Sequence, residues 1–130
     1  MTREALRSVP LFADLDDEAI GRIALELTEF EVPRGHVLIE PGREASGLFL
    51  IGEGTVAVER DGGRIELGSG ESVGELALLN PGAVRSARVQ ASTEVRGWAV
   101  SRDRFEKMIE SEPRIALALL RVLAARLGGS

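Results

Sequence analysis

The apolar positions of the chain change their period twice. Over the first 29 residues they fall at helical spacing. Ala5, Leu6 and Val9 make a short helical pattern that Pro10 ends, and Leu11 and Phe12 follow as apolar anchors. Asp16 has the character of an N-cap. Asp17 and Glu18 suit the positive end of the helix it opens, and Leu15 and Ile20 flank the cap as a hydrophobic staple. Ile20, Ile23, Ala24 and Leu27 give that helix one inward face, which fades near Glu29. From Phe30 to Val100 the pattern shortens to strands broken by turn residues. Phe30 and Val32 alternate with charges, and Val37 to Ile39 forms a strand between Pro33-Arg34-Gly35 and Pro41-Gly42. Leu48 to Ile51 is apolar enough to be buried on both faces. Thr55 to Val58 and Arg64 to Leu67 are joined by Asp61-Gly62-Gly63, a hairpin signal. Two more strands occupy about Ser86 to Ala91 and Glu94 to Val100. Helical spacing resumes at Ser101, a second N-cap, with Val100 and Phe105 as its staple and Phe105, Met108 and Ile109 as an inward stripe. Pro113 is placed in the first turn of a last helix, Arg114 to Leu127. Ile115, Leu117, Leu119, Leu120, Val122, Leu123 and Leu127 leave that helix almost no polar face, so it needs cover on more than one side.

Helices at both ends and many short strands between them predict an α+β chain, mainly β, with an antiparallel roll or barrel at its centre. Spacing alone leaves sandwich and roll open. The length of 130 residues suits one domain: a helical N-terminus over 1–29, strands over 30–100 and two C-terminal helices over 101–127. Fifteen glycines and 4% aromatic residues point to tight turns and an aliphatic core. The absence of cysteine removes disulfides, thiolate metal sites and a catalytic thiol, and is compatible with a reducing cytoplasm. No apolar run is long enough to span a bilayer, and Thr2-Arg3-Glu4 is too polar to begin a signal peptide. A net charge of −5 argues against direct binding of nucleic acid.

Candidate chemistry concentrates in residues 73–91, VGELALLNPGAVRSARVQA. Gly74 lets a ligand approach the backbone closely. Gly74-Glu75-Leu76-Ala77 begins a helical turn whose first N–H groups are free for an anion. Arg85 offers a planar fork of donors that fits two phosphate oxygens, and Ser86 adds a hydroxyl. Glu75 would repel a phosphate, unless it accepts a hydrogen bond from a ribose hydroxyl while Arg85 neutralises the charge. A compact ligand with fused sugar and phosphate satisfies all of these groups together.

The stretch resembles the phosphate-binding cassette of the cyclic nucleotide-binding domain, the family of the catabolite activator protein. The match is Val73-Gly74-Glu75-Leu76-Ala77-Leu78, six residues, then Arg85-Ser86-Ala87 and an alternating strand. Leu38-Ile39-Glu40-Pro41-Gly42, Leu48-Phe49-Leu50-Ile51 and Gly54 fit upstream. Arg43 departs from the family, which usually has a small polar or acidic residue there. The resemblance implies a jelly-roll-like β-roll of about eight strands, a regulatory module rather than an enzyme, and ligand contacts by Gly74, Glu75, Leu76, Ala77, Arg85, Ser86 and Ala87. The ligand it implies is cyclic AMP, with cyclic GMP as the other candidate; Ser86 after the arginine resembles bacterial cyclic AMP receptors. It further implies a switch in which the cassette draws the last two helices over the base. Arg121 is either a solvent-facing arginine or, as relatives use this helix, a contact to the purine.

Bland readings stand beside these. Glu75 can cap its own turn or pair with Arg85, Ser86 can be a small residue at a strand start, and Val73, Leu76, Val84 and Val89 can be plain core. His36, the single histidine, reads as a solvated turn residue, and nothing clusters with it as a metal site. A phosphodiesterase lacks the His and Asp cluster that would hold a metal and activate water. Two readings of the whole chain remain: a cyclic nucleotide sensor, or an interaction domain that dimerises through its last helix around a degenerate pocket. A transcription regulator of the family carries a helix-turn-helix after that helix. None precedes Ser130, so the chain reads as a stand-alone sensor or as the sensory part of a longer protein.

Overall fold

A computed structural model describes residues 2–43, 47–75, 80 and 87–128, with side chains through Arg126. Helix α1 (Arg3–Arg7) is capped by the Thr2 side chain, and Pro10–Phe12 form a single 3-10 turn. Helix α2 (Asp17–Ala24) starts where Asp16 accepts a hydrogen bond from the Ala19 N–H at 2.8 Å, the cap expected from the sequence. It ends earlier than expected, and the first strand already begins at Thr28.

Among the described residues eight strands follow: β1 (Thr28–Val32), β2 (Val37–Ile39), β3 (Gly47–Glu53), β4 (Val56–Arg60), β5 (Gly63–Leu67), β6 (Ser72–Val73), β7 (Arg88–Ala91) and β8 (Val95–Ser101). They form two four-stranded sheets, ordered β1-β8-β3-β6 and β2-β7-β4-β5. Every pairing is antiparallel. The β4–β5 hairpin turns through Asp61 (φ 47°) and Gly62 (φ 77°) between the paired Arg60 and Gly63, the double left-handed geometry of a type I′ turn. The architecture is the jelly-roll-like β-roll with flanking helices.

Strand β3 explains why Leu48 to Ile51 carries no polar face. Leu48 and Leu50 point one way, opposite Val100 and Trp98 of β8, and join an apolar cluster with Phe12, Ile20, Phe105 and Ile115. Ile51 points the other way, into a second cluster between the sheets with Val56, Val73, Val89 and Val95. One strand therefore serves two cores, as the period-2 geometry of side chains requires. Trp98 lies wholly in the helix-side cluster and is 3% exposed.

Helix α3 (Arg102–Ser111) is capped by Ser101, which accepts from the Arg104 N–H. Helix α4 (Arg114–Gly128) begins at Arg114, as the sequence suggested. Pro113 sits just before its first turn, where its carbonyl accepts from the Ala116 N–H, and its missing N–H costs nothing. Ile115, Ala118 and Leu119 are buried, whereas Leu117 and Leu120 are exposed.

Between α3 and α4, Glu112 is buried and ties three segments together. It accepts from Arg22 of α2 at 2.5 Å and from Arg114 at 3.2 Å, and Arg114 also donates to the Asp14 carbonyl. The Arg22 hydrogen bond holds the Glu112 carboxyl below its ordinary value, against the opposing effect of burial, with Arg114 adding to the lowering. The same hydrogen bond raises Arg22. The base of α4 is thus clamped to the N-terminal helices.

Candidate functional site

The cassette leaves the roll at its edge. Strand β6 is only two residues long and pairs with β3, Leu50 facing Ser72 and Phe49 facing Val73. Because Leu50 belongs to the helix-side cluster, its neighbour Ser72 faces the helices, while Val73 faces the roll interior. Gly74 then takes φ 97°, a conformation that any side chain would strain, and redirects the chain into the helical turn that Glu75 opens.

Glu75 is the centre of the described site. It is 3% exposed, unusual for a carboxylate without a counter-ion close by. Its counter-ion is Arg126, in the last turn of α4, whose Nη1 donates to Glu75 Oε1. The Nη2 of Arg126 donates to the Ser72 carbonyl at 2.5 Å. One guanidinium fork thus joins the end of the last helix to both the strand and the turn of the cassette. The second carboxylate oxygen, Glu75 Oε2, is buried and has no hydrogen-bond partner among the described residues, and neither does Ser72 Oγ. A buried acceptor needs a donor if it is not to cost free energy.

Of the residues singled out in the sequence, Gly74 and Glu75 stand at the start of this turn, and Ala87 is half-buried where the chain re-enters the roll before β7. Leu76, Ala77, Arg85 and Ser86 lie outside the described residues, as do Leu78 and Val84. Val73 and Val89 are core between the sheets. Arg121 is exposed and its partner is Asp14, at 3.7 Å. The arginine of this helix that reaches the cassette is Arg126. Sequence reading missed it, although a signal was present: Ile115, Leu119 and Val122 form a stripe whose next position is 126, where a cation stands in place of an apolar residue. Among the described residues, no cluster of His, Cys, Asp and Glu could hold a metal ion, and no helix is long and apolar enough to cross a membrane.

Comparison with known proteins agrees with this geometry. The family model for the cyclic nucleotide-binding domain matches residues 29–112. An uncharacterized NTE family protein of Mycobacterium bovis is 34% identical over 127 residues, covering 96% of this chain and 22% of that protein. A CRP-like cAMP-activated global transcriptional regulator of Mycobacterium tuberculosis is 33% identical over 130 residues, covering 95% of this chain and 58% of the regulator. The catabolite activator protein of Thermus thermophilus superposes with a TM-score of 0.82 at 28% identity, over 92% of this chain and 59% of that one. The chain therefore spans about a fifth to three fifths of the length of these relatives. With the cassette turn, the β-roll and the matched residues in agreement, the chain belongs to the cyclic nucleotide-binding domain family.

Proposed function

We propose that the chain is a cyclic AMP sensor that passes its bound state to a partner or to an attached effector through its C-terminal helices. The observation that carries this reading is Glu75, buried, charge-balanced and holding, at the start of the cassette turn, one oxygen with no hydrogen-bond partner among the described residues. A cyclic nucleotide has a single free ribose hydroxyl, which would donate to that oxygen. Arg85 and Ser86 would take the cyclic phosphate, together with the backbone N–H groups of the turn from Gly74 through Ala77. The chemistry asked of these groups is recognition; no general base or metal is invoked, and the module is read as regulatory and cytoplasmic.

Transmission requires only that the ligand bind one helix arrangement better than another. Helix α4 is suited to it, clamped at its base by Glu112 and linked to the cassette at its far end by Arg126. Its exposed Leu117 and Leu120 lie three residues apart on one face, continued by Ala124, and would meet the same face of a second copy. An effector carried elsewhere in a longer protein is in keeping with the relatives, of which this chain spans only a part.

The test is equilibrium binding of fluorescent cyclic AMP to the parent and to Arg85→Ala, with sedimentation of both. Binding lost in the variant, with the oligomeric state unchanged, is the expected result. A variant that binds as the parent does would overturn the assignment of Arg85, and a folded, ligand-free parent that binds nothing would favour the interaction-domain reading.

A further inference from the structure

We propose that strand β5 is a pairing edge for a second copy of this chain: two copies join β5 to β5, antiparallel about Ile65, and make one continuous sheet. The proposal is independent of the cyclic nucleotide reading, since β5 and the cassette strand β6 lie in different sheets.

Among the described strands, β1 and β6 stand at the edges of one sheet, and β2 and β5 at the edges of the other. Three of these edges are guarded against pairing with a copy. Strand β6 has two residues, and β2 has three with a shift in register. Strand β1 has five, but Glu29 and Glu31 flank Phe30, so antiparallel pairing about its centre would set glutamate against glutamate. Strand β5 has five residues in unbroken register with β4 and carries neither a proline nor a bulge.

The sequence of β5 is complementary to its own reverse. Arg64 and Glu66 stand on one face, two residues apart, and form an ion pair at 3.0 Å, with Ile65 on the other face. In an antiparallel pair centred on Ile65, Arg64 of each copy faces Glu66 of the other, and the two isoleucines face each other. Opposite charges then meet on both sides of the two-fold axis. Ile65 is 56% exposed, although its partner on β4, Val58, packs against the core between the sheets. A second Ile65 would carry that apolar face past the sheet edge.

The backbone is in phase with this register. Arg60 and Gly63 bracket the two-residue turn and so form a hydrogen-bonded pair. Alternation along an antiparallel ladder then aims the N–H and C=O groups of Gly63, Ile65 and Leu67 at β4, and those of Arg64 and Glu66 outward. With Ile65 at the centre, each Arg64 and the Glu66 opposite it exchange both N–H···O bonds, and the isoleucines take the closer, non-hydrogen-bonded position. An edge of this length buries little area, so the contact is weak and depends on concentration, or on copies already held together. With the exposed face of α4 it makes two separate isologous contacts, which together assemble the chain past a dimer.

The experiment is sedimentation velocity over a concentration series, on the full chain carrying Leu120→Glu, which takes the α4 face out of play. Arg64→Glu, Glu66→Arg and the Arg64→Glu/Glu66→Arg double variant are added to that background in turn. Each is first matched to the background by far-UV circular dichroism and urea midpoint. The background is expected to self-associate. Each single reversal sets like charges together on both sides of the two-fold axis and should weaken association about fourfold or more. The double reversal should restore it, and so should an equal mixture of the two single variants, in which opposite charges meet again. Amide exchange at Arg64 and Glu66 should slow as the background protein is concentrated. A background that stays monomeric up to about 1 mM overturns the proposal. So do single reversals that associate as the background does, or failure of the double reversal or the mixture to restore association. Unchanged exchange at both amides overturns it as well, since association then runs through another surface.

Discussion

Truncating Ile115 to alanine tests whether the last helix is packed on the roll as described. Ile115 is fully buried, in the cluster that includes Phe12, Trp98, Phe105 and Leu119. Three carbons are lost, worth about 2.4 kcal/mol at roughly 0.8 kcal/mol each. A cavity term adds to this, because the neighbours come from the 3-10 turn, β8 and α3, each anchored in its own element, and cannot all collapse inward. The expected total is about 3–4 kcal/mol, within the usual 2–5 kcal/mol for such changes. Against a domain stability of about 5–15 kcal/mol this is a large fraction. Ile115→Val, which removes one carbon, is expected to cost about 1 kcal/mol. Ile51→Ala is the control, since Ile51 is equally buried but sits between the sheets. Urea unfolding followed by circular dichroism gives the three costs, and hydrogen exchange locates them. Ile115→Ala should raise exchange first in α4 and the N-terminal helices, and Ile51→Ala in the strands. A cost below about 1 kcal/mol for Ile115→Ala would refute the packing argument.

The other expectations concern the site, the clamp and the exposed face. If Arg85 grips the phosphate as proposed, Arg85→Ala removes two charge-assisted hydrogen bonds, each worth about 1.5–3 kcal/mol, and cyclic AMP affinity should fall by about 100-fold or more in a competition assay. Glu112 has its carboxyl pKa lowered in the folded state, so its contribution is complete above the ordinary carboxylate value and is lost as pH falls through the lowered one. The urea midpoint of the parent should therefore exceed that of Glu112→Gln at pH 7 and approach it in acid. A gap that does not narrow by about pH 3 would contradict the clamp. Leu120→Glu places a charge on the exposed face of α4 and should weaken self-association about tenfold or more in sedimentation, without loss of cyclic AMP binding. A dimer of unchanged affinity would place the contact elsewhere.

What was legible in the sequence was local or periodic. Asp16 and Ser101 announce their caps because the side-chain oxygen and the N–H it accepts from are three residues apart. Asp61-Gly62 announces its hairpin because few residues tolerate left-handed backbone. The unbroken apolar run at Leu48 to Ile51 announces a strand with a core on each face. The two-residue strand β6 was not legible, since Ser72 and Val73 pair with β3 for reasons that lie in the tertiary fold. Nor were the Glu112–Arg22 bond, across 90 residues, or the Arg126–Glu75 pair, across 51. Glu75 itself was singled out from its neighbours, but not its counter-ion. For Arg121 the sequence leaves a solvent-facing arginine and a purine contact open, and the structure has it exposed with Asp14 as its partner. Position along a helix says which face a residue takes, but only the packed fold says what that face meets.

The central claim is that this chain recognises a cyclic nucleotide through the cassette around Glu75. The most direct measurement is calorimetric titration of folded protein, freed of carried-over nucleotide, with cyclic AMP, cyclic GMP and linear AMP in turn. Saturable binding of cyclic AMP, with cyclic GMP weaker and linear AMP much weaker, is the expected result. No heat from any of the three would contradict the sensor account and turn attention to the exposed face of the last helix as the working surface.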